Sequence, residues 1–213
     1  MHFISYTMTT TYISIDVATR SLALGAYEMK SFNHFERYDD PIQFNDYMNS
    51  LIIPIKMNVV DINSGCKTKD TSISEKAIAL KQALTSFDNS IHEYISKAQS
   101  VCVLVEYQMN ANHGANAIFN MIVYHYSGKY PIEVMKPSWK NTIALHPKLT
   151  LSEFLGQCSS NYSANKMHTR CNMLYLLTMI DQMDMIKDIA KKNQDDIADT
   201  LMQALAFHKK SCK

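Results

Sequence analysis

The chain has 213 residues, 46% of them hydrophobic and 19% charged, a balance that suits one globular domain with core enough to fold unaided. A formal net charge of +1 excludes avid polyanion binding through the field of the whole protein, so any nucleic-acid surface must come from local clustering of basic residues. No apolar run approaches the roughly 18 residues of a membrane span, and the N-terminus lacks the basic-then-apolar pattern of a secretory signal.

Residues 1–10 are expected to form a flexible N-terminal extension to a single domain spanning 1–213. Two strands follow, "TYISIDV" at 11–17 and residues 21–29, joined by a tight connection; "SFNHFERYD" then predicts a third strand of a meander. Residues 40–70 read as irregular, with "MNVVDIN" at 57–63 as a short extended piece. From Ser72 to Lys97 the pattern turns helical: Ile73, Ala77, Leu80, Leu84, Phe87, Ile91 and Ile95 recur every three or four residues, with Ser72 or Ser74 as the cap. "VCVLV" at 101–105 predicts a strand buried on both faces and ended by Glu106. A helix over 115–126 stops at Gly128, "YPIEVMKP" reads as a short strand, and 141–165 reads as loop. A long helix is expected over 166–191 and a last one from Gln194 to about Lys209. This order is that of an α/β protein with a mixed sheet flanked by helices. The five cysteines (Cys66, Cys102, Cys158, Cys171 and Cys212) are odd in number and never spaced as CxxC. That argues against a zinc site or disulfide framework and for a reducing intracellular compartment.

Three places hold acids that structure alone would not request. Asp16 ends an apolar strand, Glu106 ends a second, and "DDIADTLMQAL" places Asp195, Asp196 and Asp199 at the start of a helix. Asp196 and Asp199 lie about 60° apart on one helical face, opposite the core-seeking Ile197, Leu201, Ala204 and Leu205. Each acid alone has an ordinary explanation: a turn cap, a paired sheet end, or complementation of the helix dipole. Asp61 competes as a strand acid with a shorter apolar flank, and Asp181 and Asp184 read as a solvated face. If adjacent strands bring Asp16 and Glu106 to one sheet end beneath that helix, the converging carboxylates repel unless cations neutralise them. Oxygen donors of this kind suit Mg²⁺ or Mn²⁺. Two such ions roughly 4 Å apart would activate a water and stabilise a leaving phosphodiester oxygen.

The ordered set "ISIDVATRSLALG", "VLVEYQMNAN" and "KKNQDDIADTLMQAL" resembles the Holliday-junction resolvases of the RNase H-like superfamily, above all the forms carried by poxviruses and other large DNA viruses. The resemblance spans about residues 11 to 209 and implies a five-stranded mixed sheet, three strands antiparallel and two parallel, flanked by helices. Ala18 and Ser21 depart from the family's glycine and asparagine after the first aspartate. Val105, Glu106 and Gln108 match its second motif, but Met109 and Asn110 stand where basic residues often follow. The implied catalytic set is Asp16, Glu106, Asp196, Asp199 and Lys140. The four acids hold two Mg²⁺ ions, replaceable by Mn²⁺, with Asp195 as the spare acid. Lys136, Lys140, Lys166 and Arg170 are implied DNA contacts, within a wider basic set that includes Lys148, Lys191, Lys192, Lys209 and Lys210.

The implied partners are branched DNA and a second copy of the chain, because two sites must nick two strands. Met173, Leu176, Leu177 and Ile180 are a candidate dimer contact, with ordinary core as their plainer role. Tyr107 and Trp139 invite base stacking or, more plainly, core packing. The implied activity is symmetric nicking of four-way junctions, at sites of viral DNA replication in the host cytoplasm if the chain is viral. The rivals are a nuclease for RNA–DNA hybrids or other branched DNA, and a non-catalytic junction-binding protein. A nucleotide-binding module is disfavoured, since none of the five glycines forms GxGxxG or GxxxxGK.

Overall fold

The computed structural model describes residues 9–18, 20–30, 51–63, 65–66, 71–107, 113–146 and 151–211. Its centre is a five-stranded sheet in the order β3-β2-β1-β4-β5. β1 (Thr9–Val17) and β2 (Ser21–Lys30) form an antiparallel hairpin, and β3 (Ile52–Asp61) adds antiparallel to β2. β4 (Ser100–Glu106) lies parallel to β1 on the other side, and β5 (Ile132–Met135) lies parallel to β4. The mixed sheet of three antiparallel and two parallel strands is therefore as expected.

Period-two alternation splits the core between the two faces. Ile13, Ile15 and Val17 of β1, Leu22, Leu24 and Ala26 of β2, and Val103 and Val105 of β4 point to one side. There they meet α1 (Ile73–Lys97) and α2 (His113–Tyr126). Tyr12, Ala23, Tyr27, Cys102 and Leu104 point to the other, against α4 (Asn161–Met179) and α5 (Gln194–Ser211). Asp16 and Glu106 fall on this second face by the same alternation.

The α1 boundary is set by a capping box: Glu75 N donates to Ser72 Oγ, and Glu75 Oε2 accepts from Ser72 N at 2.7 Å. Ile73 of the expected stripe remains 49% exposed, since the buried row begins at Lys76 and Leu80. α2 ends ahead of Gly128, whose φ of 77° supplies the left-handed residue.

Several expectations need correction. β1 begins at Thr9, whose N–H donates to Gln99 Oε1 at 2.9 Å, so residues 9 and 10 belong to the strand; residues 1–8 lie outside the described residues. β3, within the stretch read as irregular, pairs with β2; the expected 31–39 strand lies outside the described residues. The stretch read as loop contains α3 (Leu151–Gln157) and the first turn of α4, which Ser160 caps by accepting from Ser163 N. The polar run "SSNYS" is a cap and an exposed first turn. The expected helix to residue 191 stops at Met179: Asp181 turns back at φ 54° and Gln182 N donates to Leu177 O at 2.8 Å. Two short 3₁₀ turns, Met183–Ile186 and Lys191–Asn193, carry the chain to α5. Met173, Leu176, Leu177 and Ile180 are buried in the core and cannot form a dimer contact.

Gly25 permits a close approach that seats α5. The Tyr27 ring folds back over it, fully buried, and its hydroxyl meets Thr200 Oγ1 at 2.7 Å. A Cβ at Gly25 would lie 2.5 Å from Cε2 and Cζ of that ring. Gly25→Ala should therefore destabilise the protein by about 1–3 kcal/mol through overpacking, read as a lowered urea midpoint with little change in slope.

Candidate active site

Three elements deliver the acids to one place. Asp16 is the penultimate residue of β1 and Glu106 the last of β4; the parallel register pairs Ile15 with Val105, so the next residue on each strand is an acid on the same face. α5 packs across β1 and β2 on that face and brings Asp199 down onto the pair. One carboxylate oxygen from each of Asp16, Glu106 and Asp199 lies within 4.8 Å of the others. Glu106 and Asp199 are buried, while Asp16 is half-buried.

Two lysines close over this cluster. Lys140 rides on a 3₁₀ turn (Trp139–Thr142) packed on α5 and donates to Asp199 Oδ2 at 2.6 Å and Glu106 Oε2 at 2.9 Å. Lys166 comes from α4 and donates to Asp199 Oδ2 at 2.7 Å and Asp196 Oδ1 at 3.0 Å. The turn bearing Lys140 is followed by a loop tied to α4, where Asn172 Oδ1 accepts from Leu145 N and His146 N. Both lysines fall on one oxygen of Asp199; the other, Oδ1, is buried and has no hydrogen-bond partner among the described residues. Glu106, Asp199, Lys140 and Lys166 border a cleft of about 410 Å³, edged by exposed Tyr107 and Tyr162. A larger groove of about 640 Å³, between α1 and α2, holds none of these acids and lies across the sheet from them.

Charge crowding is recorded in the proton affinities. Burial first, then repulsion from Glu106 and Asp199, pushes the Asp16 carboxyl up to about 8, against the opposing pull of Lys140 and Lys166. For Lys140, burial works against the charged form, yet Asp199, Asp16 and Glu106 carry it above the ordinary lysine range. Lys166 is raised in the same way by Asp199, Asp16 and Asp196. Both remain ammonium groups at neutral pH. An all-carboxylate donor set with an unsatisfied buried oxygen fits a hard divalent cation rather than zinc.

The structure brings Asp16, Glu106, Asp199, Lys140 and Lys166 together. Asp196 stands at the rim, joined to the cluster through Lys166. Asp195 turns toward Arg170 at 3.7 Å, and burial raises its pKa despite that cation and Lys166. Arg170 is thus near the site but engaged, and Lys136 is exposed beyond β5. Asp199 does not lie on a polar helix face as expected: α5 is buried all round from Ile197 to Ala206, and Asp199 is enclosed with it. Asp61 pairs with Arg20 at 3.9 Å, and Asp181 and Asp184 are exposed. Trp139 packs on the core under Lys210, whose Nζ lies 3.9 Å from the ring centroid. Gln108, Met109, Asn110 and Lys148 lie outside the described residues. Sequence reasoning missed Ser14 and Gln203; the signal was a polar residue two before Asp16 and another four after Asp199, on the same faces.

No family model matches the sequence, and neither does any curated protein. Solved structures do match. Thermus thermophilus RuvC shares 10% identity at a TM-score of 0.53, over 96% of this chain and 98% of that one. The fowlpox virus resolvase, solved with its substrate Holliday junction DNA, shares 14% at 0.55, over 95% and 99%. T. thermophilus RuvC in complex with a Holliday junction substrate shares 10% at 0.52, over 96% and 97%. The fold is that of the Holliday-junction resolvases. The sheet order and flanking helices described above are thus an RNase H-like arrangement covering nearly the whole chain.

The raised Asp16 carboxyl has a stability consequence of definite sign. A carboxyl that holds its proton more tightly folded than unfolded contributes stability that is complete below about pH 4 and is lost as pH rises to about 8. In EDTA, the wild type should therefore lose more unfolding free energy than Asp16→Asn between about pH 5 and pH 9, the variant being the more stable at the alkaline end. Urea denaturation at both pH values checks this; parallel losses would return Asp16 to an ordinary pKa.

Proposed function

We propose that this chain is a metal-dependent, structure-specific endodeoxyribonuclease that resolves four-way DNA junctions by symmetric nicking. The observation that carries the reading is the meeting of Asp16, Glu106 and Asp199 at one sheet end under two lysines. The fold shared with two resolvases solved with Holliday junctions supports it.

Asp16, Glu106 and Asp199 would hold the cations, with Asp196 widening the set at the rim. Two Mg²⁺ ions, or Mn²⁺ in their place, would supply a water activated at neutral pH and charge stabilisation for the leaving oxygen. The half-buried Asp16 would hold a cation as the carboxylate, its proton released to solvent. Lys140 and Lys166, now bonded to Asp199, lie nearest to where a scissile phosphate would enter the cleft and would neutralise its non-bridging oxygens. Water attacks phosphorus, one P–O bond breaks, and a phosphate and a hydroxyl end result. Lys136 and Arg170 contribute phosphate contacts and salt-dependent affinity. One acidic site per chain requires a homodimer to cut opposed strands. The work is assigned to a reducing intracellular compartment, which for a viral chain is the host cytoplasm where viral DNA replicates.

Asp16→Asn, Glu106→Gln and Asp199→Asn should each abolish cleavage of a labelled junction in Mg²⁺ while leaving its binding largely intact, and EDTA should silence the wild type. Product mapping should give nicks at symmetric positions on opposed strands. A variant cutting at the wild-type rate removes that residue from the site. Preference for an RNA–DNA hybrid over the junction transfers the activity to that substrate, and junction binding without cutting in any metal makes the protein an adaptor.

A further inference from the structure

We infer that Ser14 and Gln203 form a buried relay that positions Glu106 to take a divalent cation; this rests on the metal-ligand role proposed above. Ser14 Oγ donates to Gln203 Oε1 at 3.1 Å, and Gln203 Nε2 donates to Glu106 Oε2. Ser14 is 0% exposed and Gln203 1% exposed, so neither meets solvent or substrate directly.

The chemistry of the groups fixes the direction of the relay. An ionised carboxylate only accepts, so the amide must turn its NH₂ toward Glu106, and its carbonyl then faces β1. There the Ser14 hydroxyl is the donor that holds it. Reversing the amide would set oxygen against oxygen at Glu106 and waste the serine proton.

The arrangement also divides the two oxygens of Glu106. Oε2 takes Gln203 and Lys140; among the described residues Oε1 takes no hydrogen bond. One oxygen is anchored and the other keeps its lone pairs. The two donors on Oε2 differ in what they do when a cation enters. Lys140 carries a charge of the same sign and must move away. Gln203 is neutral, enclosed between α5 and the sheet, and keeps its place. It sits one helical turn after Asp199, so the amide also fixes α5 against β4 and sets the spacing of two carboxylates from different elements. A neutral outer group that orients a ligating carboxylate is worth about 10–100-fold in metal affinity. A Gln at this position has no other visible use, because the surrounding positions of α5 are apolar core.

The test uses the full chain, with Mn²⁺ alone as the probe and free Mn²⁺ counted by electron paramagnetic resonance, beside junction cleavage as a function of Mg²⁺. Gln203→Leu fills the same space without donor or acceptor. It should fold and bind Mn²⁺ about 10–100-fold more weakly than wild type, with the Mg²⁺ midpoint for cleavage raised in step and much of the rate regained at saturating metal. Ser14→Ala should shift both midpoints the same way by less. The double variant should be no worse than Gln203→Leu, because Ser14 acts through the amide. Wild-type Mn²⁺ affinity in Gln203→Leu, or multiplied losses in the double variant, overturns the relay. If Gln203→Leu fails to fold, Ser14→Ala decides, and an unchanged Mn²⁺ affinity in that variant overturns it. A wild type that binds Mn²⁺ and never cuts junctions sinks the nuclease reading and leaves the relay standing; one that binds no Mn²⁺ sinks both.

Discussion

Like-charge repulsion is the constraint around which this molecule is arranged. Three carboxylate oxygens within 4.8 Å of one another, two of the residues buried, would push apart in any scaffold free to yield. This one does not yield because the backbone fixes where each acid stands, and the contacts of Glu106 and Asp199 with Lys140, Lys166 and Gln203 hold their carboxylates in place. Asp16 and Glu106 end neighbouring strands whose ladder is continuous up to the preceding residue pair. Asp199 belongs to a helix buried all round. Burial first, and the repulsion after it, therefore appear as proton affinity at Asp16, and the crowding appears as tightly held lysines, not as displacement.

The seating of α5 carries that burden. Apolar packing alone would fix its depth but only loosely its rotation, since Leu, Ala and Ile present similar surfaces at successive turns. Three buried polar residues of α5 remove that freedom. Thr200 meets Tyr27, Gln203 joins Ser14 to Glu106, and His208 joins Tyr12 to the Lys30 carbonyl at 2.9 and 2.7 Å. Each hydrogen bond adds about 0.5–1.5 kcal/mol when made, more where the Glu106 carboxylate accepts, and a buried group left unpaired costs about 1–3 kcal/mol. Slippage of α5 by one turn would orphan all three, and the register of Asp199 over the strand pair follows from them.

The sheet and the acids were legible in the sequence for one reason. Each acid ends an apolar strand: the alternating run through Ile13 and Ile15 stops at Asp16, and the continuous run from Val101 to Val105 stops at Glu106, so a carboxylate stood out in each. Helix α1 was legible through its cap and stripe. What escaped was structure whose buried face is polar. α4 buries His168, Thr169 and Asn172, so its pattern fades and its first turn resembles loop. Asp199 was placed with Asp196 opposite the core-seeking residues, whereas a helix enclosed on every side has no single apolar stripe to orient it. Gln203 and Ser14 were passed over for the same reason, as polar exceptions in segments read for their apolar residues.

Near-neutrality now has a local explanation. The chain carries 21 basic and 20 acidic side chains, and the cations that meet the acids of the site are already committed. Lys140 and Lys166 hold Asp199, and Arg170 faces Asp195. With their charge spent on the acids, little is left to draw a polyanion into the cleft. On the proposed reading, any divalent charge taken up by the carboxylates frees those same ammonium groups for phosphate, so metal and DNA affinity are thermodynamically linked through one set of ion pairs. A strongly basic surface would bind DNA of any shape. A cleft whose cations are released only as the site is loaded confines the attraction to the place where the chain can act.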